Sequence, residues 1–378
     1  MSRDLHAHPS FFHFILNREL DEFYISIALR FFALSMVGIF LPIYLFFKLN
    51  LPLPVVMYFF IIFAIFFALA AFMAAKIASQ IGFKHLILMS IPFEITFFFL
   101  LILLPFFRIP LFLVSITGAV SRGFYWIGHH TDLAKFTLRK KRGEEVGLAF
   151  FVNTGAALLG PLAGGLILTF FNFTVLFLIG SLILLISTVP LFFSKDVHEK
   201  FSFSLKKVFK RASLKDAAAF TSQGIAIGSS GVLWPLFIFL ILGGYFSLGL
   251  IGTLSGAISA FSAILVGKFS DKLGKRFFIR LGAFSFAGLW FFRTIVRTIF
   301  HVYLITLFAF IPGMASVPMD TLAYSKARFS KRIEEYLVFR EIFLNLGRIL
   351  AYLFMLVTAS YIASFIFTGI AQVLLTLF

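Results

Sequence analysis

The chain contains no cysteine in its 378 residues, which excludes disulfides, thiolate nucleophiles and thiolate metal sites. Charge is scarce too: Asp, Glu, Lys and Arg make up 13% of the chain, about half the ~25% of an ordinary soluble domain. Acidic residues are the scarcest, 16 against 33 Lys and Arg. What fills the space is apolar, 61% of all residues, with 58 Phe and a mean hydropathy of +1.02. Such a chain belongs in lipid. An unsatisfied backbone group in hydrocarbon costs several kcal/mol, so spanning elements are helices or a closed barrel, and long apolar runs without period-two alternation select helices. The phenylalanines read as filler of lipid-facing positions and carry no functional signal. The start, "MSRDLHAHPSFFHFILNRELDEF", lacks a basic region followed by an apolar stretch and a small-residue cleavage site, so no signal peptide is expected and the first hydrophobic helix serves as its own insertion signal.

At about 20 apolar residues per span, the pattern predicts twelve helices: 23–48, 54–78, 86–106, 110–136, 146–170, 173–193, 217–242, 246–270, 277–297, 301–325, 337–358 and 360–378. Alternate connections are short, such as "RIPL", "FFNF" and "GGYF", whereas the others are basic. Lys135, Arg139, Lys140, Lys141 and Arg142 crowd one of these, and Lys195, Lys200, Lys206, Lys207, Lys210, Arg211 and Lys215 the central one. On the opposite side stand Lys48, Arg108, Arg293 and Arg297. The positive-inside rule then puts both termini in the cytoplasm of a multi-pass protein of the cell membrane, and the net charge of +17 is an orientation signal rather than a nucleic-acid footprint. Residues 194–216 form a basic linker in which Leu205, Val208, Phe209 and Ala212 alternate with Lys206, Lys207, Lys210 and Arg211 at helical spacing, suiting an amphipathic surface helix. Residues 1–22 are a cytoplasmic segment open to the same reading. The linker separates a bundle at 23–193 from one at 217–378.

The two parts repeat. "AKIASQIGFK" at 75–84 lies against "GKFSDKLGKR" at 267–276 with an offset of 192 residues, the separation of Lys76 from Lys268 and of Gly82 from Gly274. The same offset superposes "FVNTG" on "FLNLG", Asn153 on Asn345 and Gly155 on Gly347. An offset of 193 superposes "GIFLP" on "GVLWP". Two six-helix parts of like topology imply parallel repeats about an axis along the membrane normal, the arrangement that supports rocking-type transport.

With these residues in view, the chain resembles the major facilitator superfamily. "GKFSDKLGKR" is similar to the family's loop between the second and third helix of a half, G-x-L-a-D-r-x-G-r-k, with Gly267, Asp271, Gly274, Lys275 and Arg276 in register. The resemblance implies an all-α membrane fold of twelve transmembrane helices in two pseudo-symmetric bundles, and a loop that latches one side shut, Asp271 acting between helix 8 and the start of helix 5. Gly267 is expected to let helix 8 approach a neighbour closely, and Gly274 to permit a tight reversal. In the first copy Ala75 and Ser79 replace glycine and aspartate, so the helix 8 latch is expected to carry more than the one at Ser79 and Gly82. "NTGAALLGPLAGG" is similar to the glycine-proline motif of helix 5 in the family's exporters, with Gly155, Gly160, Pro161, Gly164 and Gly165. Ordinary close packing explains such glycines equally.

Ionisable residues inside spans cost at least about 2.5 kcal/mol and are functional candidates by default. Here they are Arg30, Glu94, Arg122, Asp320, Arg340, Glu341 and Arg348. The resemblance makes helices 1, 4, 7 and 10 the cavity walls, which favours Arg30, Arg122 and Asp320. Arg122 is similar to the central arginine of the family's helix 4 motif, although Tyr125 and Trp126 stand where glutamine and glycine are expected. Glu341, Asn345, Arg348 and Tyr352 share one helix face, and pairing of Arg348 with Glu341 is the competing reading. Ser229, Ser230 and Trp234 offer hydrogen bonds and an aromatic wall, with Gly228 and Gly231 as a flexing point. In "HHTD", His129 and His130 point about 100° apart on a helix, so no metal is expected, and His129, His130 or Asp132 reads as a proton-relay element.

The expected function is secondary active transport by alternating access, with proton-coupled export of a small amphipathic or lipophilic solute first and Glu94, Asp320 or Glu341 as the titrating carboxylate. Uptake or exchange of a small anion is the alternative, resting on Arg30, Arg122 and Arg348. A receptor or scaffold is the rival from another class; an enzyme is not expected, since no nucleophile or metal constellation is present. The expected partners are a small-molecule substrate, protons and the lipid bilayer, without a cofactor or nucleic acid, and the expected state is a monomer.

Overall fold

The computed structural model describes residues 18–136, 142–193, 203–204, 208–209, 213–329 and 333–378, and their side chains except at 18–24, 132–154, 191–193, 328 and 329. Every regular element among them is helical. The helices are α1 (Arg18–Gly38), α2 (Leu53–Ile81), α3 (Phe83–Leu103), α4 (Leu111–Phe136), α5 (Arg142–Phe170), α6 (Phe173–Phe193), α7 (Leu214–Gly228), α8 (Tyr245–Leu273), α9 (Lys275–Arg293), α10 (Ile311–Phe329), α11 (Ile333–Thr358) and α12 (Tyr361–Gln372). Leu41–Ile43 and a π turn at Tyr44–Lys48 prolong α1, a π turn at Ser229–Leu233 and Trp234–Leu242 prolong α7, and a two-turn helix Ile299–Thr306 precedes α10.

Among the described residues nine helical segments are long and apolar enough to cross a membrane. The others are α5, whose apolar part is Gly155–Phe170, α12, and α9, which carries Lys275, Arg276, Arg280 and Arg293. Helix ends differ from the sequence expectation where polar residues stay helical. Thus α2 runs on to Ile81 and α8 to Leu273, and α7 starts at Leu214 because the Ser213 hydroxyl caps it, accepting from the Lys215 amide at 3.1 Å. Gly82 and Gly274 end these 29-residue helices with φ of 86° and 99°, a backbone that side-chain-bearing residues rarely adopt. Their turn reverses the chain straight into α3 and α9.

By chain order the helices fall into a first set, α1 to α6, and a second, α7 to α12. In the first, α1 lies on α5 and α6, α2 on α4, and α3 on α4 and α6; in the second, α7 lies on α11, and α9 on α10 and α12. Two long seams join the sets, α5 with α8 and α2 with α11. Small residues set the closest crossings: a Cβ on Gly224 would collide with the Leu344 carbonyl and one on Gly347 with the Thr221 carbonyl, so α7 and α11 touch backbone to backbone. Most of the linker lies outside the described residues; at its edges Phe203 meets Phe72 of α2 at 5.5 Å and Phe209 meets Phe339 of α11 at 6.1 Å. Residues 1–17 also lie outside.

Candidate functional site

Four polar side chains meet inside the first set. Arg122 of α4 donates to Glu94 of α3 at 3.2 Å, and that glutamate is fully buried. Arg30 of α1 lies over the Tyr125 ring of α4, 4.0 Å from its centroid. Arg30 is 2% exposed, and its Nε, Nη1 and Nη2 have no hydrogen-bond partner among the described residues. The Tyr125 hydroxyl and Glu94 Oε2 are likewise unpartnered there. A cation over an aromatic face gains about 2 kcal/mol when desolvated, less than the several kcal/mol that burying a charge costs. Arg30 is therefore the least compensated charge in this set.

In the second set Arg340 of α11 is the hub. It donates to Asp320 of α10 and to its neighbour Glu341, each at 2.9 Å. Arg348 donates to Asn345 Oδ1 at 2.7 Å, and the Asn345 amide donates to the Glu341 carbonyl at 2.8 Å. Glu341 is thus taken by Arg340, and the pairing of Arg348 with Glu341 does not occur. Arg348 instead turns to the seam, 5.0 Å from the Phe67 ring of α2, and Tyr352 follows, 5.7 Å from Phe60. The shared face of Glu341, Asn345, Arg348 and Tyr352 is real, and its outer members look across to the other set.

The sets are bridged at both ends. At the basic-loop end His130 of α4 reaches α10 and α11: its Nδ1 shares a 2.6 Å hydrogen bond with the Tyr324 hydroxyl, and Arg340 lies 3.3 Å from its Nε2. A guanidinium only donates, so Nε2 accepts and the neutral ring carries its proton on Nδ1, donating to Tyr324. At the short-loop end the Phe47 ring packs tilted against Phe239 at 4.9 Å and Phe40 packs edge-on against Tyr245 at 6.5 Å. Between them, along the α5–α8 seam, the Thr253 hydroxyl of α8 donates to the Leu158 carbonyl and accepts from the Leu162 amide of α5, at 2.8 and 3.1 Å. That insertion sits beside Pro161, whose carbonyl faces Gly249, while Gly160 and Gly164 face α1 at Phe32 and Met36 and Gly165 faces Tyr245 of α8. Pro161 and its glycines thus form a two-sided contact surface. A Cβ on Gly155 would meet nothing within 4 Å among the described residues, whereas one on its repeat partner Gly347 would meet the Thr221 carbonyl.

The comparison with known families decides what this architecture is. The family model described as Major Facilitator Superfamily matches residues 23–332. The chain belongs to the Major Facilitator Superfamily. It is also 28% identical over 269 residues to "Uncharacterized protein YqgE" of Bacillus subtilis (strain 168), across 66% of this chain and 61% of that protein. The chain therefore matches less than two thirds of that relative's length.

The residues expected to form a latch sit at the junction of α8 and α9. Asp271 is exposed and pairs with Lys275 at 3.3 Å within its own turn, and Arg276 is exposed. The side chains at the start of α5, the expected counterpart of Asp271, lie outside the described residues. Gly274 makes the expected reversal, whereas a Cβ on Gly267 would meet nothing within 4 Å among the described residues. In the first copy the Ser79 hydroxyl donates to its own helix at Lys76 O, 2.7 Å away. The side chain of Asp132 lies outside the described residues.

Around the α7 π turn, Ser229 bonds Thr368 of α12 at 2.8 Å and Ser230 is half-buried. Trp234 holds a cation instead of facing open space: the Arg293 guanidinium lies 4.6 Å from its ring and 4.1 Å from that of Trp290. Arg293, expected among the charges of the short-loop side, is buried; the "LWFF" run before it was the available signal. A second missed cluster joins Asp216 of α7 to Lys326 of α10 at 2.7 Å and to the Tyr336 hydroxyl of α11 at 3.0 Å. A groove of about 580 Å³ lies within the second set, lined by apolar side chains of α8, α9 and α10 and by Ser262, not at the seams.

Proposed function

We propose that this chain is a secondary active transporter that carries a small solute across the cell membrane by alternating access. In this reading two bundles of six spans, at 23–193 and 217–378, tilt against each other about the α5–α8 and α2–α11 seams, with the basic loops and both termini in the cytoplasm. The observation that carries the reading is the pair of bridges, His130 with Tyr324 and Arg340 at one end and Phe47 with Phe239 at the other. They enclose a belt of buried charge, as an occluded intermediate of a two-gate carrier requires.

Proton-coupled export of an amphipathic or lipophilic solute is the leading form. Glu94 binds Arg122 across α3 and α4, and Asp320 and Glu341 share Arg340, so protonating Glu94 frees a guanidinium and loosens α3 from α4, and protonating Asp320 loosens α10 from α11, coupling a proton to a conformational step. Uptake or exchange of an anion is the second form, favoured by the uncompensated Arg30. Reconstitution in proteoliposomes with an internal pH dye separates them. Solute-dependent proton movement supports antiport, exchange without protons supports the second form, and absence of flux with any solute favours a receptor or scaffold.

A further inference from the structure

The buried charges of α1, α3, α4, α10 and α11 carry a surplus of positive charge. Arg30 is in electrostatic reach of Glu94 and Arg122, Arg348 of Arg122, Arg340 and Glu341, and Arg340 of Asp320. Among the described residues of this linked group, four arginines (Arg30, Arg122, Arg340 and Arg348) face three carboxylates (Glu94, Asp320 and Glu341). Three of the arginines have an acceptor on a side chain: Arg122 on Glu94, Arg340 on Asp320 and Glu341, and Arg348 on Asn345. The surplus thus falls on Arg30, the buried cation with three unbonded nitrogens.

Its surroundings specify what would satisfy it. A guanidinium fork matches a carboxylate in a planar, bidentate pair, and the unpartnered Tyr125 hydroxyl beside it is a further donor. On the other side Phe31 sits 6.0 Å from both Tyr125 and Trp126, an aromatic wall for an apolar body. We infer that Arg30 and Tyr125 form the headgroup subsite for an amphipathic monocarboxylate, whose single negative charge closes the belt at neutrality. Arg122 supports the site at a distance: by holding Glu94 it keeps that carboxylate from occupying Arg30. The inference rests on the transporter reading and names the class of solute that this carrier takes.

The test uses the purified full-length protein with four probes, hexanoate and benzoate and their neutral amides hexanamide and benzamide, read by isothermal titration and thermal shift. Wild type binds the carboxylates and not the amides. Arg30→Gln weakens carboxylate binding by about ten- to hundredfold, the worth of a lost charged hydrogen-bond pair, and Arg30→Lys, which keeps the charge but not the fork, falls between. Glu94→Gln moves the other way and tightens binding, because it removes a negative charge that shares the field of Arg30 with the incoming carboxylate; a variant that merely loosened the fold would weaken it. Equal response to acids and amides, no response to either, or carboxylate affinity unchanged in Arg30→Gln overturns the inference. Distances between spin labels on the two sets, measured on the same wild-type sample, judge alternating access separately. Reciprocal opening with no carboxylate preference discards this subsite alone.

Discussion

The Nδ1 of His130 and the hydroxyl of Tyr324 are 2.6 Å apart, although one belongs to α4 and the other to α10. With Arg340 on the opposite ring nitrogen, the imidazole closes the basic-loop end by direct hydrogen bonds rather than by packing alone. Tyr324→Phe keeps the ring and deletes the bond. A buried neutral bond contributes about 1 kcal/mol, so this substitution shifts the open-to-closed ratio at that end by roughly fivefold. Maleimide labelling of a single cysteine placed at the basic-loop end measures it: faster labelling in Tyr324→Phe is expected, and an unchanged rate contradicts the clasp.

Thr253 offers a second control point. Its hydroxyl stands between Leu158 and Leu162 beside the Pro161 break, so it satisfies helix polar groups across a seam that must slide. Thr253→Val preserves shape and removes both bonds, leaving a helical carbonyl and amide to re-pair, at a cost of about 1–3 kcal/mol if they do not. The thermal midpoint should fall for Thr253→Val and stay near wild type for Thr253→Ser. Equal behaviour of the two would show that the hydroxyl is idle.

Glycines in one helix differ sharply in tolerance. At Gly224 a methyl group meets the Leu344 backbone, while at Gly231 nothing lies within 4 Å. Gly224→Ala must push α7 off α11 and is expected to destabilise by about 1–3 kcal/mol, in the range of overpacked cores. Gly231→Ala is expected to be neutral or stabilising by up to about 1 kcal/mol, since it removes unfolded-chain freedom. Thermal midpoints of the two proteins decide this.

Glu94 and Arg122 form a pair whose removal is non-additive. Glu94→Gln strands Arg30 and Arg122 without a buried anion, a loss of about 3–5 kcal/mol when a buried partner is stranded. The effect is reduced here because Arg122 is partly exposed. Adding Arg122→Gln to Glu94→Gln should recover part of it, and a double-mutant cycle on thermal stability returns the coupling. Additive losses would mean that the 3.2 Å contact contributes nothing.

The parts legible in the sequence follow from covalent and solvation constraints that act locally. Gly274 had to reverse the chain because charged residues flank it between two apolar runs, and the structure gives it the left-handed φ that this reversal needs. Glu341, Asn345, Arg348 and Tyr352 share a face because helix period alone decides it. Partners across helices were not legible, since nothing in the local pattern says which arginine meets which carboxylate: Glu341 took Arg340, the adjacent residue, and left Arg348 to Asn345. Arg293 was misjudged for the same reason, its position near a helix end suggesting solvent while Trp234 and Trp290 enclose it. Gly267, Gly155 and Gly160 look alike in sequence, yet among the described residues Gly160 alone of the three meets another helix, because contact depends on which face the rest of the bundle covers.

The most direct test of the carrier account uses the absence of native cysteine. Spin labels at Lys76→Cys and Lys272→Cys report the basic-loop end of the two sets, and labels at Phe106→Cys and Val357→Cys the opposite end; all four positions are exposed. Pulsed electron–electron distance measurements in lipid should give two populations whose distances change in opposite senses, one end widening as the other narrows, with the balance moved by Tyr324→Phe toward a wider basic-loop end. Fixed distances at both ends across pH, substrate and variant, or ends that widen together, would contradict alternating access.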